Sequence, residues 1–410
     1  MGMNKDICKE YADGAAFLWV LRSIAVTEPH YSREDLQELE VRIEAQLEGL
    51  AITGNVGWEH CKAVLALGEP GGQFTSTVVA FRSHDVHKIQ TVVETGLSNP
   101  RATKGLISAM GWLGPEITQQ WIGKFLNGKD LNHKYLGVAA CSVRREDPGE
   151  MLTTVLKRDD CLKHAQLQVR ALRLAGELRR HDLKDVLQAS LFSKEPSIAF
   201  WANWSSILLG QRALVRNLQP MVFSPGPLQA RAIQIAFRVL PIEQAREWIS
   251  SLAKDPASVR VVITATGVLG DPHAAGWLIG KMADPALARL AAESFTNITG
   301  VDLVKHGLNK DPPDAADPIP TNDATNGHGG TDEDENLPWP DIEKLTALWR
   351  NQGGNFRVGQ RYFLGNLIAP DWLKHMINAG NMRQRHAAAL ELALLDPQSR
   401  FINTHTKVLP

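Results

Sequence analysis

Residues 104–121 and 260–277 are two copies of one pattern, 156 residues apart. Lys104, Gly111, Gly114 and Trp121 in the first copy keep the same offsets as Arg260, Gly267, Gly270 and Trp277 in the second. A fixed internal period restricts a chain to stacked copies of one small unit, because no copy buries its apolar face alone. Weaker copies fill the interval. Anchored on Gly111, equivalent positions fall at Cys141, Gly176, Ile207, Ala236, Gly267 and Asn297, in steps of 30, 35, 31, 29, 31 and 30 residues. A second marker holds the register: Asn or Asp followed by Pro precedes a basic residue by five positions, as in Asn99-Pro100 with Lys104, Asp255-Pro256 with Arg260 and Asp284-Pro285 with Arg289. Glu195-Pro196 occupies the matching place in another copy without the arginine, and Arg231, Arg260 and Arg289 are spaced 29 and 29 residues apart.

Each copy reads as a helical hairpin. Val262, Ile263, Ala265 and Thr266 have the spacing of a buried helical face, and Trp277, Leu278 and Met282 continue that face on a partner helix. Gly270-Asp271-Pro272 ends one helix and starts the next, since glycine tolerates a left-handed cap and proline suits a first helical turn. The tryptophans of the pattern, Trp121 and Trp277, are expected in the core. The loop carboxylate before each basic residue is expected to bond that residue across neighbouring hairpins. The other reading is a ladder of arginines, Arg231, Arg260 and Arg289, facing a ligand.

The rest of the chain divides by composition. Residues 1–54 read as an N-terminal helical cap, in which Ser32 and Asp35 form a capping box and Leu36, Leu39, Ile43 and Leu47 an apolar stripe with acids on the outer face. Residues 55–308 hold the repeats. Residues 309–338, rich in proline, glycine and acids, read as an acidic disordered loop, and 339–410 as a C-terminal helical extension. Net charge is −1, but 101–290 carries 25 basic against 16 acidic residues and 291–341 carries 2 against 11. That opposition raises the hypothesis that the acidic segment covers the basic face. Four scattered cysteines without a CxxC, and an N-terminus poor as a signal peptide, lead us to expect a soluble, cytoplasmic protein.

The basic residue, small apolar helix, Gly-x-x-Gly and second helix of 55–300 resemble HEAT-like repeats, including the short kind found in phycobilin lyases. The stretches PHYSREDLQELEVRIEAQLEGL (29–50), FWANWSSILLG (200–210), NITGVDL (297–303), LPWPD (337–341) and RQRHAAALELALL (383–395) together resemble a proteobacterial family of HEAT-like proteins often encoded near type VI secretion genes. The resemblance implies an all-α, HEAT-like (ARM-type) α-solenoid of helical hairpins with an N-terminal helical cap and a C-terminal helical extension. It implies an accessory role and carries over no catalytic residues.

No GxSxG, P-loop, GxGxxG or HExxH occurs, so we expect no catalytic residues, no metal and no cofactor. His84 and His87 are i,i+3, which invites a metal reading; a solvated helix end is the plainer one. His328 and the acidic run from Asp332 to Glu335 lack the spacing of a calcium loop. Trp201 and Trp204 share one helical face, flanked in sequence by Arg170, Arg173, Arg179 and Arg212. They are either packing between hairpins or a stacking surface in a basic groove. Trp339, between Pro338 and Pro340, reads as an anchor for the acidic loop together with Val301 and Leu303.

The sequence therefore points to a non-enzymatic protein-binding scaffold, adaptor or immunity-type accessory. A secreted effector or a secretion component is the expected partner. The candidate partner-binding residues are Arg170, Arg173, Trp201, Trp204, Arg231, Arg260, Arg289 and Trp339. The alternative is a nucleic-acid-binding protein of DNA-glycosylase type that uses the basic groove of 101–290.

Overall fold

The computed structural model of the protein describes residues 2–312 and 333–408. These residues form 22 α-helices and one two-stranded antiparallel hairpin. The fold is all-α, with helical hairpins stacked in solenoid fashion. Of the described residues, those in 1–211, 378–389 and 396–410 make one compact unit, and those in 212–377 with 390–395 make another. Residues 313–332 of the acidic stretch, with His328 and Asp332, lie outside the described residues.

The repeat register is visible in the packing. The anchor positions Gly111, Cys141 and Gly176 lie on Thr103–Trp112, Leu131–Arg144 and Ala165–Glu177, and Ile207 lies on Pro196–Leu208; these first-unit helices pack each on the next. In the second unit Ala236, Gly267 and Asn297 lie on Gln229–Val239, Val259–Leu269 and Ala288–Thr299, which stack likewise. A hydrogen bond found at two of these places, Gly176 and Gly267, explains the glycines there. The Ser205 hydroxyl donates to the Leu172 carbonyl at 2.7 Å, and the Ser294 hydroxyl to the Ile263 carbonyl at 3.1 Å. Each carbonyl stands four residues before an anchor glycine. A Cβ on Gly176 would lie 2.6 Å from the Ser205 Cβ, and one on Gly267 2.7 Å from the Ser294 Oγ. The bond forms only because the glycines let the helices approach.

The hairpins are phased differently from the sequence expectation. Val259–Leu269 packs against the helix before it, Ile242–Leu252, while Ala275–Lys281 packs against the helix after it, Ala288–Thr299. Gly270-Asp271-Pro272 therefore links one hairpin to the next. Gly270 is left-handed, with φ 74°, and Asp271 caps the following turn. Trp277 is not core: it is 38 % exposed with the Lys281 ammonium 5.5 Å from its ring. Ala275, Leu278, Ile279 and Met282 form the buried stripe of its helix, and Trp277 falls off that stripe. Trp121 is half-buried, beside Phe81 and Phe125, with Lys124 over its face.

The loop carboxylates also act otherwise than expected. Asp255 accepts from the Ala257 amide and the Ser258 hydroxyl, and Asp284 from the Ala286 amide, so both cap their own turns. The bond between hairpins is made instead by Arg260, which donates to the Ala286 carbonyl at 3.1 Å. An aspartate two residues from an unpaired turn amide meets that donor before any distant side chain can compete.

At the start of the chain Gly2–Ala25 and Arg33–Ile52 pack on each other and on the first hairpin. Ser32 and Asp35 form the capping box, and Leu36, Leu39, Ile43 and Leu47 are buried. Not all acids of the second helix face outward: Glu40 is wholly buried and Glu44 largely so. Toward the other end, helix Met382–Leu395 has residues in both units. The hairpin Tyr362–Phe363/Asn366–Leu367 docks on helix ends of the second unit. The Tyr362 amide donates to Gly270 and the Leu364 amide to Asn297, at 2.8 and 2.7 Å. The two ends of the acidic stretch are tied together. The Lys310 amide donates to the Trp339 carbonyl at 2.9 Å and the Asp341 amide to Leu308 at 2.8 Å, while Leu303 is buried and Val301 packs on the same core.

Candidate functional site

Beyond helix Met382–Leu395 the described residues have no helix or strand, yet residues 397–408 are held at almost every step within the first unit. The tail runs backward over the repeats, from the loop after Pro196–Leu208 to the first two helices. The His181 ring meets the Pro397 carbonyl at 3.3 Å, and Arg179 Nε donates to the Ser399 carbonyl at 3.1 Å. Asn403 Nδ2 donates to the Val143 carbonyl at 2.8 Å. Arg22 Nη2 donates to the carbonyls of His405 and Thr406 at 3.3 and 3.2 Å. Glu40 Oε2 accepts from the Val408 amide at 2.7 Å. Lys407 pairs with Glu44 at 2.7 Å, with its ammonium 5.0 Å from the Trp112 ring.

Local chemistry prepares these holding groups. Arg22 is fixed by Glu40, at 2.9 Å from its Nε. Glu44 also accepts from Arg82 and from the Trp112 indole. Burial works against its charge, but the bonds from Lys407 and Arg82 outweigh it and hold the carboxyl below its usual range. Arg145 and Arg179 adopt left-handed backbone, φ 55° and 59°, just past the ends of Leu131–Arg144 and Ala165–Glu177. Such a conformation is costly for any residue but glycine. It turns both guanidiniums toward the tail: Phe401 sits 5.3 Å from Arg145, 5.9 Å from Arg179 and 6.1 Å from the Trp204 ring.

Glu177, 2 % exposed, is the hub beneath Phe401. It accepts from Arg173 Nε at 2.7 Å and from the Ser142 hydroxyl at 2.6 Å, and pairs with Arg145. Burial alone would raise its pKa; Arg173, Arg145 and Arg170 outweigh burial and bring it down to about 2. Burial lowers Arg170 to about 10, which leaves it charged at neutral pH. At the far side of the tail, His386 Nε2 lies 2.7 Å from the Val26 carbonyl, which can only accept, so that nitrogen carries the proton. Its Nδ1 then accepts from Thr404 at 2.6 Å, and its ring stacks on His405 at 3.8 Å. Burial pushes His386 down to about 4.

Half of the sequence candidates meet here. Arg173 lies over Trp201 at 4.8 Å, Trp201 meets Trp204 at 5.1 Å, both tryptophans are 8 % exposed, and Arg170 reaches the Ala139 carbonyl. The faces that would stack a base are covered by Arg173 and Phe401. The others lie in the second unit: Arg231, Arg260 and Arg289 each in the first turn of a stacked helix, where the helix dipole disfavours a cation, and Trp339 in the irregular segment before Ile342–Gln352. Arg260 pairs with Asp334 at 2.8 Å and Arg289 lies 4.9 Å from Trp339, so the end of the acidic segment is docked on these two rungs; Arg231 is exposed. Arg212 donates to the Leu394 carbonyl. His84 has φ 55° and precedes the helix that Asp85 caps, so it shares no helical face with His87. Among the described residues no group of three metal-ligating side chains occurs, and no helix is long and apolar enough to cross a membrane. The four cysteines are buried and free, with Cys61 and Cys141 pushed up to about 12 by burial.

Sequence reasoning passed over Arg22, Glu40, Glu44, Arg145, Glu177, Phe401 and Lys407. One signal was present. The second glycine of the pattern, three after the anchor in Gly114 and Gly270, is Arg144 after Cys141 and Arg179 after Gly176. Of the two only Arg179 is left-handed like Gly270; Arg144 is helical, and the left-handed residue there is Arg145. Fold and groove together define an all-α helical-repeat protein whose first unit holds a chain segment without helix or strand. Compared with models of known protein families, with curated proteins and with solved structures, the chain has no match.

Proposed function

We propose that the protein is a non-enzymatic binding scaffold whose first unit holds an extended segment of another protein. The observation that carries the reading is the docking of residues 397–408 chiefly through their main chain. Arg22, Arg179, His181 and Glu40 all bond backbone atoms of the tail. Main-chain recognition tolerates many sequences, while seats for alternate side chains supply selectivity. An adaptor or immunity-type accessory with a secreted effector or secretion component as client fits this use. The basic residues that favour a nucleic-acid reading are in part committed elsewhere, since Arg145 and Arg173 pair with Glu177 and Arg144 with Glu146.

The test is capture of a partner from the native host with nuclease present, using wild type, Phe401→Ala and Arg179→Ala in parallel. A single protein recovered near one to one, more with Phe401→Ala and less with Arg179→Ala, supports the reading. Recovery that is indifferent to both changes overturns it. Nucleic acid retained without nuclease, weakening steeply with salt, would put the alternative first.

A further inference from the structure

We infer that the seat of residues 396–408 takes an extended peptide of another protein with an acidic residue at the Arg400 position, followed by an aromatic one. This rests on the groove reading above and adds the chemistry of the ligand. The resident tail suits its seat at five side chains, with Thr404 and His405 both on His386. Phe401 lies among Arg145, Arg179 and Trp204; Asn403 reaches the Val143 carbonyl; Lys407 pairs with Glu44.

Arg400, a charged side chain, is left out of that fit, as are the neutral Gln398 and Ile402. It is exposed, and it borders two cavities of about 290 and 300 Å³. The first is also lined by Arg145, Arg179 and Glu177, the second by Arg144 and Arg145. The nearby acids are engaged: Glu177 by Arg145 and Arg173, Glu146 by Arg144. Arg400 is one of the charges that, after burial and with Arg173, hold the Arg145 guanidinium down. The tail thus sets a cation where Arg144, Arg145, Arg173 and Arg179 outnumber Glu146 and Glu177, at a place with room for a carboxylate beside them.

A mismatched resident makes physical sense. A tail in the same chain competes at a high effective concentration, so an incoming peptide needs an advantage to replace it. Reversing one charge turns repulsion into attraction at the Arg400 position while every main-chain bond stays available. The tail then covers the groove until a better-matched segment arrives.

The experiment uses the full-length protein and its Phe401→Ala variant, with fluorescent peptides of the 396–408 sequence, native and carrying Arg400→Glu. Binding is read by anisotropy, and release of the protein's own tail by hydrogen exchange. We expect the Arg400→Glu peptide to bind both proteins about tenfold tighter than the native peptide, the gap closing with added salt. We also expect it to raise exchange across 396–408 in the wild-type protein. Equal binding of the two peptides, or tighter binding of the native one, overturns the acidic preference and leaves the groove reading standing. If neither peptide binds either protein, although the Phe401→Ala tail exchanges freely, both fall together.

Discussion

Replacing Glu177 by Gln should loosen the first unit more than any other single change at the groove. The carboxylate is sealed from solvent and receives Arg145, Arg173 and the Ser142 hydroxyl. Two routes give the size of the effect. A carboxyl at about 2 in the fold, against an ordinary 4.5, is stabilised by about 3 kcal/mol. Removing one partner of a buried ion pair costs about 3–5 kcal/mol, because the remaining charge is stranded. Here Arg145 and Arg173 would face each other with Arg170 close by. The Nε atoms of Arg145 and Arg170 already lack acceptors, so there is little slack. Hydrogen exchange resolved by segment is the assay, with Val259–Leu269 of the second unit as internal reference. Exchange through opening of Ala165–Glu177 and Leu131–Arg144 should accelerate by roughly a hundredfold. Acid sensitivity should change with it. A depressed carboxyl contributes stability that is present above pH 4.5 and lost as pH falls toward 2; Glu177→Gln removes that step. Acceleration of less than about fivefold would refute the reasoning, since it would mean that the arginines find other acceptors at little cost.

Three further outcomes are expected. His386, at about 4 in the fold against 6.5, is depressed, so its contribution is intact above pH 6.5 and fades as pH falls toward 4, by at most about 3 kcal/mol; burial depresses the stacked His405 as well, so exchange across 396–408 should rise as pH falls below 6.5, His386→Gln should reduce the rise, and His386→Gln with His405→Gln should abolish it. Gly267→Ala forces the Ser294 hydroxyl off the Ile263 carbonyl and should cost about 1–3 kcal/mol, read as a lowered thermal midpoint, whereas Gly276→Ala, which meets open space, should not. Arg179→Gly relieves left-handed strain of about 1 kcal/mol but removes the bonds to Leu208 and Ser399, so tail exchange should quicken even if global stability holds; a slower-exchanging tail would contradict the holding role given to that side chain.

The parts of the fold legible in the sequence were those with local causes. The seven anchor positions all fall on helices, four stacked in series in the first unit and three in the second, and at Gly176 and Gly267 close approach demands the small residue. Ser32 with Asp35, and Gly270-Asp271-Pro272, behave as their neighbours dictate. The hairpin phase was misjudged for a physical reason. A turn sequence shows that one helix ends and another begins, but which neighbour each helix packs on depends on the faces presented in three dimensions. Trp277 follows from the same limit: its repeat position is fixed by pattern, its exposure by the stripe its short helix buries.

The candidate site divides along the same line. Sequence placed Arg173 near Trp201 and Trp204, since an aromatic pair at i,i+3 and arginines one repeat earlier meet on stacked helices. Arg179, standing after Gly176 where the pattern has Gly270 after Gly267, was also there to be read. Sequence alone determined a repeating, all-α, helix-by-helix stack and where its turns lie, because those follow from spacing, capping and backbone freedom within some thirty residues. Only the tertiary structure decided that the last residues lie along the first unit, with Arg22 meeting the carbonyl of His405 across 383 positions. That pairing has no periodicity to announce it. Its residues gain meaning only when folding brings a buried arginine, a buried glutamate and an unpaired strand of backbone to one place.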